Sequence, residues 1–250
     1  MSQTQTILHP GHGNPSVSDT HRAELDAALA GMPFEKVDLT TSSGAEFAQQ
    51  KTAFERRRKP ISLAFAGVLV GLLLTSGSRW SAIGASESAI FLLGLTLAGV
   101  GCLGRLWCSL YIAGYKTRVL VTAGPYSLCR NPLYFFSCVG GTGVLLASGT
   151  FALPAIMLVA FAVFYPWIIR QEESRLLAVH QDEFLTYCRK TPCFFPKWSQ
   201  LQEPKDYTVH PRVFRTGILD AFWFLFLTGT VHFLADLHRT GALPTLWRLW

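Results

Sequence analysis

Charge is what this chain has least of. Asp, Glu, Lys and Arg make up 15% of its 250 residues, against roughly a quarter in soluble globular domains. A solvated surface wrapped around one core is therefore excluded as its general plan. Metal-ligand spacing is missing too: the six cysteines (Cys102, Cys108, Cys129, Cys138, Cys188 and Cys193) include no CxxC, and the seven histidines (His9, His12, His21, His180, His210, His232 and His238) show no paired spacing. This argues against a metal centre. All six cysteines fall in apolar runs or in basic segments beside them, which argues against a disulfide framework. No internal repeat or low-complexity tract occurs. The opening "MSQTQTILHPGHGNPS" has no apolar core, so no secretory signal is expected before the first apolar run.

Long runs almost free of charge take the place of charge, at Pro60 to Ser78, Ser88 to Gly104, Leu133 to Ile169 and Thr216 to Ala235. A bilayer core is spanned by about 20 mostly apolar helical residues. The third run is too long for one span, and "LLASGTFALP", with Ser148, Gly149, Thr150 and Pro154, offers a turn near its middle. The pattern predicts an all-α polytopic membrane helical bundle of about five transmembrane helices.

Lysine and arginine orient it. With a cytoplasmic N-terminus, 19 of the 22 basic residues lie inside, leaving Arg79, Arg239 and Arg248 outside. That asymmetry is the positive-inside bias. The formal charge of +6 is accordingly read as that bias plus contact with anionic inner-leaflet lipid, and no nucleic-acid partner is expected. Residues 1–59 read as a polar cytoplasmic extension and residues 60–250 as the membrane domain. Within the extension, 19–32 has a short amphipathic pattern. "SGAEFAQQKTAFERRRKP" pairs Ser43 with Glu46 as a capping box and puts Phe47 and Phe54 on one helical face, predicting a basic helix on the inner leaflet or, equally, a charged stop that fixes topology.

Polar groups gather in two segments between spans, about 108–131 and 170–215. In the first, Gly124-Pro125 marks a turn, and Tyr126, Arg130, Asn131 and Tyr134 follow, with Pro132 suited to the first turn of the next helix. Arg130 and Asn131 beside that helix start make a seat for a carboxylate or phosphate; they equally suit a snorkelling cation and a helix cap. In the second, Glu172 and Glu173 lie just past the apolar run and point about 100° apart, so one can face a given site while the other pairs with Arg170 or Arg175. Leu176, Leu177, Phe184 and Tyr187 form an apolar helical face that ends at Thr191-Pro192, and "CFFPKW" returns to the bilayer as an aromatic clamp. Gly99, Gly101 and Gly104 favour close helix packing over phosphate binding. Arg105, next in line, is open to a structural or a functional role.

"GPYSLCRNPLYF", followed after the hairpin by "EESRL", "FLTYC" and "TPCFFP", resembles the C-terminal half of the integral-membrane methyltransferases, including isoprenylcysteine carboxyl methyltransferase and phospholipid N-methyltransferases. The resemblance runs from about Gly99 to Trp198. It implies an S-adenosylmethionine site facing the cytoplasm, a lipophilic acceptor arriving from the bilayer, and a proline-bounded apolar strand. Carried over by position, Tyr126, Arg130, Asn131, Pro132, Tyr134, Glu172, Glu173 and Tyr187 would line the cofactor site, with Arg130 and Glu173 as catalytic residues. Asn131 stands where several members have histidine. The Arg-Asn-Pro-x-Tyr segment and "YCRKTPCFFP" also resemble membrane sterol reductases, which use a nicotinamide cofactor, and a non-catalytic membrane scaffold is a third reading.

Overall fold

A computed structural model describes residues 67–75, 84–115 and 119–244, all within the compact unit Ala45–Trp250. The extension 1–59 with its two amphipathic patterns, most of the first expected span, and Arg79 and Arg248 lie outside the described residues.

Everything regular among the described residues is helical. Helix α1 covers 67–75, α2 Gly84–Ile112, α3 Pro125–Leu128, α4 Pro132–Leu146, α5 Ala152–Lys190 and α6 Pro211–Arg239, with a 3-10 turn at Trp198–Gln200. Three helices, Ser88–Ile112 within α2, then α5 and α6, are long and apolar enough to cross a membrane, and α4 is a shorter apolar helix. Leu103, Val159, Val163, Leu219 and Phe226 are exposed along them. Apolar side chains displayed on this scale need a nonaqueous neighbour, so the chain is an integral membrane protein.

The hairpin expected inside the long apolar run is present. Helix α4 ends at Leu146 and α5 begins at Ala152; between them Ser148 Oγ donates to the Leu145 carbonyl (2.6 Å) and Thr150 Oγ1 accepts from the Ala152 amide (3.0 Å). One boundary is corrected: the second span runs to Ile112 instead of Gly104, which shortens the first polar segment. The second polar segment is helical as far as Lys190 and ends at Thr191 as expected, α5 continuing for 39 residues through its charged half and breaking at Gln181 (φ 41°). The expected apolar strand is absent among the described residues; the segment after Thr191 is irregular and pairs through one isolated bridge, Gly124 with Gln202.

Helix α2 packs chiefly on α4 and then on α6. A glycine seam allows the first contact: a Cβ on Gly101 would run into the backbone of Gly140, and one on Gly143 into the backbone of Gly94 and Ala98. Gly99 points away from the seam, with nothing near its would-be Cβ. On the far side, His232 stacks on Phe91 at 3.9 Å, and His238 Nε2 lies 3.1 Å from the Leu73 carbonyl, tying α6 to α1.

Candidate functional site

The two polar segments meet backbone to backbone at the start of α4. Gly124, at φ 60°, has the Tyr111 ring where a Cβ would sit; no other residue type fits this turn. Its amide donates to the Gln202 carbonyl (2.8 Å). Ser127 Oγ donates to the Gly124 carbonyl (2.7 Å) and accepts from the Gln202 amide (2.9 Å). Farther along, the Lys197 amide donates to the Leu128 carbonyl (3.0 Å) and the Arg130 amide to the Pro192 carbonyl (2.8 Å).

Arg130 reaches into this junction. Its Nε donates to Glu173 Oε1 at 2.8 Å and its Nη2 to Oε2 at 3.4 Å, while Nη1 donates to the carbonyls of Cys188 and Thr191, both at 3.1 Å. Those carbonyls belong to the last turn and cap of α5, so the guanidinium also satisfies acceptors left over by the helix end. Each side chain of the pair is only 11% exposed. Burial alone would lower the Arg130 pKa; Glu173 outweighs it and holds the group above its ordinary value. Asn131 Nδ2 donates to the same Glu173 Oε1 (3.2 Å) and to the Cys193 carbonyl (3.1 Å).

Of the expected site residues, then, Arg130, Asn131 and Glu173 converge, and in a way the sequence did not display: arginine and glutamate pair with each other. Asn131 occupies the helix N-cap position but makes no capping bond with its side chain. Arg130 is not a snorkelling cation. Of the two glutamates, Glu173 is buried, whereas Glu172 is half-buried. Tyr187 closes the knot by donating its hydroxyl to the Tyr126 carbonyl (2.6 Å), and it packs with Phe184 and Leu120. Pro132 is fully buried at the first turn of α4.

Tyr126 is different. Its ring is buried with Cys108, Tyr111 and Phe136, and its enclosed hydroxyl has no hydrogen-bond partner among the described residues. Burial raises this phenol well above its usual pKa, with Cys108, Tyr187 and Tyr134 adding to the effect, so it is a neutral donor near pH 7. The neighbouring thiols are neutral as well: burial pushes Cys129 up to about 12, and burial followed by Glu173 raises Cys193. Neither is a nucleophile there.

Tyr134, half-buried, opens an aromatic cluster. It meets Tyr165 edge-on at 5.2 Å, Tyr165 stacks on Phe161 at 3.5 Å, and Phe161 lies 5.8 Å from Phe194. Sequence reasoning missed Tyr165 and Phe161, which sit inside an apolar run like any core residue. It also missed the Ser127 and Gln202 clasp, most of whose partners are backbone groups that leave no mark on composition.

A lipid-facing helical bundle with a buried Arg-Glu-Asn knot at the start of α4 defines a class of membrane protein with an enclosed polar site. The phospholipid methyltransferase family model matches residues 90–182, which contain α4 and most of that knot. The chain is 40% identical over 192 residues to the nickel-cobalt-cadmium resistance protein NccN of Alcaligenes xylosoxydans xylosoxydans, covering 76% of this chain and 88% of the relative. It is 43% identical over 173 residues to the cobalt-zinc-cadmium resistance protein CzcN of Cupriavidus metallidurans, covering 68% of this chain and 78% of the relative. This chain belongs to the integral-membrane methyltransferase family. No solved structure matches it.

Proposed function

We propose that this chain transfers a methyl group from S-adenosylmethionine to a lipophilic acceptor reached from the bilayer, with the site on the cytoplasmic face. The observation that carries the reading is the meeting of the Gly-Pro-Tyr and Arg-Asn-Pro segment with Glu173, 43 positions away, in one buried knot beside the unpartnered Tyr126 hydroxyl. The polar groups fit the cofactor in kind. Tyr126 supplies a neutral donor that none of the described residues uses, Tyr134 and Tyr165 supply ring faces suited to a sulfonium, and Glu173 Oε2, the oxygen held at the longer 3.4 Å, retains capacity for an ammonium or a hydroxyl.

When bound, the cofactor supplies an electrophilic methyl. The protein's own share is to align donor and acceptor and to keep water out. Arg130 and Glu173 contribute by locking the start of α4 to the end of α5, which fixes Tyr126 and Tyr134, and Asn131 holds Glu173 from the other side. The knot lies where the start of α4 meets the middle and end of α5, helices whose outer faces are apolar, so an acceptor dissolved in lipid approaches without crossing water.

The resistance functions in the relatives' names suggest a setting in metal-ion tolerance for this chain as well. Among the described residues no group of three or more His, Cys, Asp or Glu forms a metal-binding set.

Calorimetry of the protein in neutral detergent with S-adenosylhomocysteine and with NADPH tests the reading. Saturable binding of the first is expected, weakened by about 3- to 10-fold in Tyr126→Phe, the worth of one hydrogen bond. Binding of NADPH instead would move the chain to the reductases, and binding of neither would leave a scaffold. Incubation of membranes with methyl-labelled cofactor should place the label in organic-soluble material; label confined to water-soluble compounds defeats the lipophilic acceptor.

A further inference from the structure

Helix α2 carries a second enclosed cation that the Arg130 knot does not use. Arg105 lies seven residues before the helix end at Ile112, about 10 Å along the axis at 1.5 Å per residue, and faces α4 and α6. Its Nη1 donates to Ser137 Oγ, and Ser137 in turn donates to the Leu133 carbonyl (2.6 Å). The guanidinium carbon stands 5.5 Å from the centre of the Phe224 ring on α6. Among the described residues its buried Nε has no hydrogen-bond partner and no carboxylate pairs with Arg105.

A guanidinium at membrane depth is costly unless something of opposite charge or strong acceptor character meets it. With Nη1 taken by Ser137, the side edge formed by Nε and Nη2 remains. That is the edge with which Arg130 grips both oxygens of Glu173, and it matches an oxyanion in two-point geometry. The same chain thus contains two enclosed arginines, one whose edge is filled by an internal carboxylate and one whose edge is not. Cys108, one turn along α2 from Arg105, packs with Tyr126.

We propose that Arg105 recognises an anionic oxygen group, a carboxylate or a phosphate, on an amphiphile that enters from the bilayer. Ser137 and Phe224 hold the guanidinium in orientation, and the Nε and Nη2 edge takes the two oxygens. The depth of about 10 Å from the helix end suits the boundary between headgroups and acyl chains. The anion site stands on this geometry alone; naming the amphiphile as the methyl acceptor rests on the proposed function.

The test uses the full chain in neutral maltoside detergent, titrated with dodecanoate, dodecyl phosphate and dodecanol and read by tryptophan fluorescence, with S-adenosylhomocysteine calorimetry in parallel. One or both anions should bind about 10- to 100-fold more tightly than the alcohol, the scale of charge-assisted hydrogen bonds. Arg105→Gln should abolish that preference while cofactor affinity stays at the wild-type value. Dodecanoate alone showing the preference would identify a carboxylate ligand, and dodecyl phosphate alone a phosphate. Arg105→Lys, which keeps the charge but loses the two-point edge, should retain part of the preference and serves as the variant if the glutamine form does not fold. Equal binding of anions and alcohol, or a preference unchanged by either substitution, overturns the proposal. Anion binding that depends on Arg105 without any cofactor binding would sustain the site and remove the methyltransferase reading.

Discussion

Arg130 and Glu173 illustrate what a buried pair does and does not contribute. Taking both charges out of water costs several kcal/mol each, and their attraction roughly offsets this, so the pair's net stabilisation is small although the loss of one member is severe. Arg130→Met or Glu173→Leu alone leaves an enclosed charge unmatched, and Arg130→Met also strips the Cys188 and Thr191 carbonyls of their donor. Each single variant should lose about 3–5 kcal/mol, and the double variant distinctly less than the sum, measured by unfolding in mixed micelles. Strictly additive losses would mean the two side chains act independently. The types of residue at this site were legible in the sequence, since an arginine, an asparagine and glutamates at the mouths of apolar runs are out of place unless used. Their partnership was not legible: 43 positions separate the pair, and two adjacent glutamates look alike until the turn of α5 buries one of them.

At the scale of elements, the contact of α2 with α4 depends on the absence of side chains. Gly101→Ala would set a methyl against the backbone of Gly140, and Gly143→Ala one against the backbone of Gly94 and Ala98. Backbone cannot swing aside as a side chain can, so each should cost about 1–3 kcal/mol by forcing the helices apart. Gly99→Ala meets nothing and should be neutral or stabilising by up to about 1 kcal/mol through helix propensity. Thermal unfolding of the three variants in one detergent checks this, and equal losses at Gly99 and Gly101 would contradict the seam. The glycine-rich stretch announced close packing in the sequence, but not which glycine faces inward. Helix extents were partly legible: the charge-free run stopped at Gly104 although α2 runs to Ile112, whereas Thr191-Pro192 marked the end of α5, where Thr191 turns extended at φ −113° and ψ 126°. The residues after Arg170 are good helix formers, so hydrogen bonding carries the helix past the last lipid-facing turn.

For the molecule as a whole, orientation decides whether the proposed chemistry has its reagent. The hairpin of α4 and α5 brings Glu173, midway along α5, to the start of α4, and past the break at Gln181 the end of α5 meets Arg130 on the same side, where the Gly124 segment and one near Gln202 clasp. Basic residues crowd the same segments: Arg118 and Arg130 in the first, and Arg170, Arg175, Arg189, Lys190, Lys197, Lys205, Arg212 and Arg215 in the second. The positive-inside rule predicts that this side faces the cytoplasm, the side on which the proposed reaction finds its S-adenosylmethionine. With a cytoplasmic N-terminus and five spans, a reporter fused after Trp250 lies outside, while reporters fused near Arg118 or Lys205 lie inside. Alkaline phosphatase should therefore be active only in the first fusion and green fluorescent protein bright only in the other two. High phosphatase activity near Lys205 would turn Tyr126, Arg130 and Glu173 away from the cytoplasm. The proposed reaction would then lack its methyl source, however well the knot is built.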